Sequence, residues 1–144
     1  MARFLATMKV RFAEIDRAGI VYYPRYFHYL HVAFEEFFER RVGVPYPVLL
    51  DRRRVGFPTV HAECDYRAPV EFGDLLEVEV AVARIGRASV VFRYRVRNRT
   101  RRRATAEARV TVVCVDMDTF RPRSIPAYCL RAFRRHLAPG AEGR

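Results

Sequence analysis

Few residues in this sequence have the type and spacing to do chemistry. The only serines, Ser89 and Ser124, sit outside any G-x-S-x-G and have no neighbouring histidine to act as base. No P-loop or G-x-G-x-x-G occurs, so the phosphate cradles of nucleotide hydrolysis and dinucleotide redox chemistry are missing. His28 and His31 stand three apart on a helical pattern without a third ligand nearby, and packing or surface placement suits them better than a metal. Cys64, Cys114 and Cys129 have neither zinc spacing nor a disulfide framework and read as reduced structural thiols. What remains is the segment from Glu14 to Tyr26, EIDRAGIVYYPRY. It puts the Asp16 carboxylate in a short loop, amid apolar and aromatic residues, just before a helix start. Helix N-termini carry unpaired N–H groups and a positive dipole end, which suit a developing oxyanion. A carboxylate beside such a donor is the minimum equipment for ester or thioester hydrolysis, with Gly19 allowing close approach of backbone or substrate. The bland alternative is that Asp16 only caps a helix and Gly19 only turns the chain.

The elements that must position this segment follow from periodicity. Leu5 to Phe12 alternates as a strand. Pro24 opens a long helix in which Phe27, Leu30, Phe34, Phe37 and Phe38 recur at three- and four-residue steps, stopped by Gly43, Pro45 and Pro47. Val48 to Gly56 reads as connection with at most a helical turn. Four strands follow, Thr59–Tyr66, Leu75–Arg84, Ser89–Arg99 and Ala104–Asp116, then a closing helix from Ala127 to Leu137. Short turns make the strands antiparallel, and one aromatic helix has one sheet to pack on. The expectation is a single α+β domain over 1–137, a five-stranded antiparallel sheet curled round one long helix, with 138–144 a frayed tail. Apolar residues on both faces of Ala104–Asp116 call for a partner subunit.

Lys+Arg total 27 against 16 Asp+Glu, a net +11 that raises nucleic acid or an acidic small molecule as partner. On Ser89–Arg99 the residues Arg93, Arg95, Arg97 and Arg99 share a face without stacking aromatics, while Glu77 and Glu79 offer cross-strand pairing. A solvated sheet face is favoured over a nucleic-acid platform. No apolar run reaches the ~20 residues of a spanning helix, and Met1–Lys9 lacks the pattern of a secretion signal, so a cytoplasmic protein without membrane insertion is expected.

The segment Asp16-x-Ala18-Gly19-Ile20-Val21-Tyr22-Tyr23-Pro24-x-Tyr26 resembles the active-site segment of 4-hydroxybenzoyl-CoA thioesterases, and equally that of the small acyl-CoA thioesterases of the Tol–Pal envelope system. Both have the hot-dog fold. Supporting similarity runs through Val55–Val60, Tyr66–Val70, Gly73–Val78, Val115-Asp116 and Pro122–Pro126, nearly the whole chain. The resemblance implies a thioesterase that hydrolyses acyl-CoA to free acid and CoA without a cofactor. It implies Asp16 as nucleophile or general base and the Tyr23 backbone amide as the group polarising the carbonyl. Gly19, Tyr22, His31 and Thr59 would meet the substrate, and Arg87 the CoA phosphates. It further implies a dimer of dimers with each site between two subunits. Three positions depart from the relatives: Glu14 stands where a tandem-acid form has Asp, Tyr23 where some members have His, and His31 where the hydroxybenzoyl enzymes have an acid. The alternatives are a non-catalytic CoA- or nucleic-acid-binding module and a hydratase on the same fold.

Overall fold

Helix α1 (Arg25–Phe37) is the centre of the computed structural model, which describes residues 3–142. Its buried residues Tyr26, Tyr29, Leu30, Ala33, Phe34 and Phe37 follow steps of three and four, one apolar stripe facing a sheet. Pro24 caps the start, and a π-turn over Phe38–Val42 ends at Gly43, whose φ of 84° suits a residue without Cβ. A short helix, α2 (Tyr46–Asp51), occupies the expected connection.

The strands are β1 (Phe4–Lys9), β2 (Val55–Gly56), β3 (Thr59–Tyr66), β4 (Leu75–Ile85), β5 (Ser89–Asn98), β6 (Arg103–Val113), β7 (Val115–Asp116) and, after helix α3 (Ala127–Arg135), β8 (Leu137–Glu142). The main sheet has the order β1-β4-β5-β6-β3, antiparallel throughout, with β8 added parallel to β4; β2 and β7 form a separate pair. Register shifts at Thr59/His61, Val82/Arg84 and Val96/Arg97 mark bulges that help curl the sheet round α1. Phe92 of β5 meets Phe37 of α1 at 5.9 Å and Phe133 of α3 at 5.4 Å, edge to face, in the middle of this core.

The structure differs from the sequence expectation at the ends of the first strand, the last long strand and the closing helix, and it adds a strand order that the sequence left open. The first strand stops at Lys9, because β4 begins at its partner Leu75 and offers nothing beyond it. Val10 is instead held by the Asp74 carbonyl, and Phe12–Glu14 turns as a 3-10 segment. The last long strand breaks at Cys114, where Val115–Asp116 leaves the sheet to pair with β2. The closing helix ends at Arg135, not Leu137. The stretch 138–142 is ordered, because the Val82 N–H takes the His136 carbonyl at 2.8 Å and draws the chain onto the length of β4 that β1 leaves uncovered. Residues 143–144 lie outside the described residues. The sheet therefore has six strands rather than five. Finally, β3 does not pair with β4, its successor in sequence, but crosses to β6.

The arginine face of β5 is ion-paired, exposed at Arg95 and Arg97 but mostly covered at Arg93, whose side chain is 11% exposed and keeps a buried Nε without a partner among the described residues. Arg93 lies 3.5 Å from Glu79, Arg95 3.7 Å from Glu107 and Arg99 3.7 Å from Glu77. At the sheet end the buried Asp74 carboxylate accepts hydrogen bonds from the Glu71 N–H, Asn98 Nδ2 and Arg101 Nε. Among the described residues no helix is long and apolar enough to cross a membrane. The three cysteines are free, and burial raises each thiol, to about 11 for Cys114 and about 12 for Cys129.

Candidate active site

The loop that carries Asp16 is a small hairpin. Ile15 bridges Val21, the Asp16 N–H donates to the Ile20 carbonyl at 2.9 Å, and the Tyr22 N–H donates to the Glu14 carbonyl at 3.0 Å. Gly19 has φ of 83° and open space where a Cβ would stand, so backbone conformation, not close approach, is what requires glycine there. Asp16 is half-buried. Its Oδ1 accepts the Ala18 N–H at 2.7 Å, an Asx turn inside its own loop, and Oδ2 has no partner among the described residues. Asp16 does not cap α1, whose N-cap is Pro24.

Glu14 is engaged through one carboxylate oxygen. Its Oε1 accepts the Tyr29 hydroxyl and the Arg11 N–H, each at 2.7 Å, so the loop is pinned to the second turn of α1. Burial, then the bond to Glu14, pushes the Tyr29 phenol up, which keeps it a donor. At the start of α1 the amides of Arg25, Tyr26 and Phe27 donate to the carbonyls of Tyr22, Tyr23 and Pro24, and proline has no N–H. The Tyr23 N–H is left without an acceptor among the described residues, next to the hairpin that holds Asp16. The Tyr66 hydroxyl donates to the Tyr23 carbonyl at 3.2 Å, and the rings of Tyr22, Tyr23, Tyr26 and Tyr66 form an edge-to-face chain. Burial raises the Tyr66 phenol to about 12, with Cys64 adding to it.

A cavity of about 290 Å³ opens between α1 and the inner face of β3, β5 and β6. His31 and Thr59 line it, with Phe27, Phe34, Phe57 and Tyr94. The carboxylate Oε2 of Glu35 lies 2.8 Å from His31 Nδ1, so Nδ1 carries the proton of that bond and Nε2 is the ring's free position. Asp16, Gly19, Tyr22 and Tyr23 do not line this cavity. Tyr23 is eight residues before His31, roughly 12 Å along a helix axis, and it lines a second groove with Tyr26 and Tyr66. Arg87 is an exposed residue of the β4–β5 turn, where its carbonyl accepts the Ile125 N–H at 3.2 Å, and it lines neither cavity nor groove. Within one chain, then, His31 and Thr59 line one cavity, Tyr23 lines a separate groove, and Asp16 lines neither, standing in the hairpin that precedes Tyr23.

Sequence reasoning missed Tyr94 and Phe57 as cavity residues. Tyr94 had a signal, because it and Asn98 at the strand end are the residues with a polar group among the inward residues Val90, Phe92, Tyr94, Val96 and Asn98 of β5. Edge strand β3 had a weaker one. None of its eight residues is buried, and one side of its backbone is unpaired.

Comparison with known proteins fits this geometry. A family model described as the thioesterase-like superfamily matches residues 10–133. An acyl-CoA thioesterase YbgC of Haemophilus influenzae is 28% identical over 134 residues, 93% of this chain and 96% of that protein. A 1,4-dihydroxy-2-naphthoyl-CoA hydrolase of Synechococcus elongatus is 34% identical over 96 residues, 66% of this chain and 70% of the relative. Among solved structures, a 1,4-dihydroxy-2-naphthoyl-CoA thioesterase from Synechocystis superposes with a TM-score of 0.84 at 22% identity, covering 92% of this chain and 96% of its own, a likeness of fold. An antiparallel sheet curled round one helix, carrying a carboxylate hairpin at the helix start, is thus a hot-dog thioesterase architecture, and the chain belongs to the thioesterase-like superfamily.

Proposed function

We propose that the protein hydrolyses acyl-CoA thioesters to free acid and CoA, with Asp16 as nucleophile or general base and the Tyr23 amide as oxyanion donor. The observation that carries this is the free Tyr23 N–H at the start of α1 beside a hairpin whose Asp16 keeps one carboxylate oxygen uncommitted. In the base route Asp16 takes a proton from water as the water oxygen bonds to the thioester carbon. The Tyr23 N–H stabilises the oxyanion. Collapse breaks the C–S bond, and CoA leaves as thiolate, which takes up the proton held by Asp16. In the nucleophile route Asp16 attacks first, CoA leaves, and water opens the resulting anhydride. Label found in Asp16 after turnover in ¹⁸O-water identifies the second route, since only water opening the anhydride at the Asp16 carbonyl can put it there. Neither route needs a cofactor.

That Asp16 does not line the His31–Thr59 cavity favours a site completed by a second copy. The antiparallel edge β3 is about 23 Å long between Thr59 and Tyr66. A two-fold axis through its middle would lay a copy's Tyr66 end, with its Asp16 hairpin, beside this chain's Thr59 and the cavity mouth. Pairs would join as a dimer of dimers, by the family resemblance. In this reading Thr59 and His31 meet the acyl group, Gly19 and Tyr22 shape the hairpin that presents Asp16, and Arg87 lies where CoA phosphates pass, with the +11 charge steering the polyanion in. A cytoplasmic setting suits CoA thioesters and three free thiols. The test is release of free CoA, read with a thiol reagent, across a panel of aliphatic and aromatic acyl-CoAs. Release above the uncatalysed rate is expected for at least one, and none at all overturns the proposal.

A further inference from the structure

We propose that the Tyr94 hydroxyl determines acyl specificity, by hydrogen-bonding an oxygen carried on the far end of a ring-sized acyl group. This rests on the thioesterase reading above. Tyr94 is on central strand β5, between Val80 of β4 and Ala108 of β6, and is 2% exposed. It lines the cavity, whereas His31 and Thr59, which also line it, are exposed. Tyr94 therefore stands at the closed end, with His31 and Thr59 at the mouth. Its hydroxyl makes no hydrogen bond among the described residues. Tyr46, the neighbouring phenol, has its own oxygen accepting the Phe57 N–H at 3.2 Å.

The hydroxyl has no partner among the described residues and opens on the cavity, so a ligand oxygen that reaches the closed end gains a hydrogen bond screened from bulk water. Burial raises the Tyr94 phenol well above its ordinary value, so it stays protonated and able both to donate and to accept. The other walls are apolar and largely aromatic, with Phe27, Phe34 and Phe57 around a space of about 290 Å³. That suits an aromatic ring held by its faces and edges, its thioester towards the mouth. With only apolar contacts the cavity would rank acyl groups by size. Tyr94 adds a requirement for a distal hydroxyl, and sites built to hydrogen-bond a substrate group discriminate against analogues lacking it.

The experiment compares benzoyl-CoA with 4-hydroxybenzoyl-CoA on the wild-type chain and on Tyr94→Phe. One neutral hydrogen bond predicts a wild-type preference on the order of tenfold in kcat/KM for the hydroxylated ester. Tyr94→Phe should bring the ratio to about one. Titrating the same two esters into Asp16→Asn and into Asp16→Asn/Tyr94→Phe measures selection without turnover. If neither ester is hydrolysed but binding selects the hydroxylated one through Tyr94, the thioesterase reading fails and this inference stands. If hydrolysis proceeds and Tyr94→Phe leaves the ratio unchanged, this inference fails alone, and absence of selection in binding overturns it as well. Without ligand, Tyr94→Phe should melt at the wild-type temperature or above it. A fall of more than about 3 °C, or failure to fold, means that the hydroxyl already has a partner in the free protein and removes the premise.

Discussion

Replacing Asp16 by Asn separates chemistry from turn geometry at the one residue where both meet. The wild-type Oδ1 accepts the Ala18 N–H at 2.7 Å, and an Asn carbonyl oxygen, equal in size and position, accepts the same bond. The hairpin should survive, held also by the Ile15–Val21 bridge and the Glu14–Tyr29 bond, so the stability change should stay within about 0.5 kcal/mol. What Asn cannot do is take a proton from water or attack a carbonyl. Losing a general base costs roughly 10²–10⁴ in rate, or about 2.7–5.4 kcal/mol of transition-state stabilisation. Asp16→Ala supplies the contrast, since it also loses the Ala18 bond, for a further ~0.5–1.5 kcal/mol of stability and roughly 2–4 °C in melting temperature per kcal/mol. The assay is CoA release at saturating acyl-CoA, with thermal melts on the same samples. Asp16→Asn that keeps wild-type turnover within tenfold while folded would refute the catalytic reading, and an Asp16→Ala chain that loses stability but keeps turnover would leave Asp16 with the turn only.

Two further predictions test the frame around the site. Val60 is 62% exposed on edge strand β3, which already carries Glu63 and Asp65, so Val60→Glu should repel a second copy, lower the mass seen by light scattering and reduce turnover. A wild-type chain that is monomeric at micromolar concentration and still active would defeat the shared-site reading. At Asp74 burial favours the neutral acid, but the Glu71 amide, Asn98 and Arg101 outweigh it and lower the carboxyl below its ordinary value. The stability it contributes is therefore present above the unfolded value of about 3.9 and is lost as pH falls through the lower folded one. Denaturant titrations from pH 7 to pH 2 should show wild type losing its advantage over Asp74→Asn across that window. Parallel curves there would show that the Asp74 network contributes nothing linked to protons.

The sequence by itself determined the long helix and the long strands that pack on it. Alternation placed the inward residues of β5 and β6, three- and four-residue steps placed the stripe of α1, and Pro24 and Gly43 bounded that helix, because these signals are local and each residue's φ and side-chain direction obey them directly. The loop carrying Asp16 and Gly19 before a helix start was legible for the same reason, though its hairpin bonds were not. Pairing was not. Nothing in the alternation of Thr59–Tyr66 distinguishes β4 from β6 as its neighbour, since strand pairing is decided by how the whole curled sheet closes on α1. The stretch 138–142 looked like a tail because its small residues and glycine carry no periodic signal, and it became β8 only because β1 ends early and leaves part of β4 open. The absence of Asp16 from the lining of the His31–Thr59 cavity, and the place of Tyr94 at that cavity's closed end, likewise exist only in three dimensions. Both depend on the direction of α1 across the sheet, which side-chain packing sets and no spacing along the chain records.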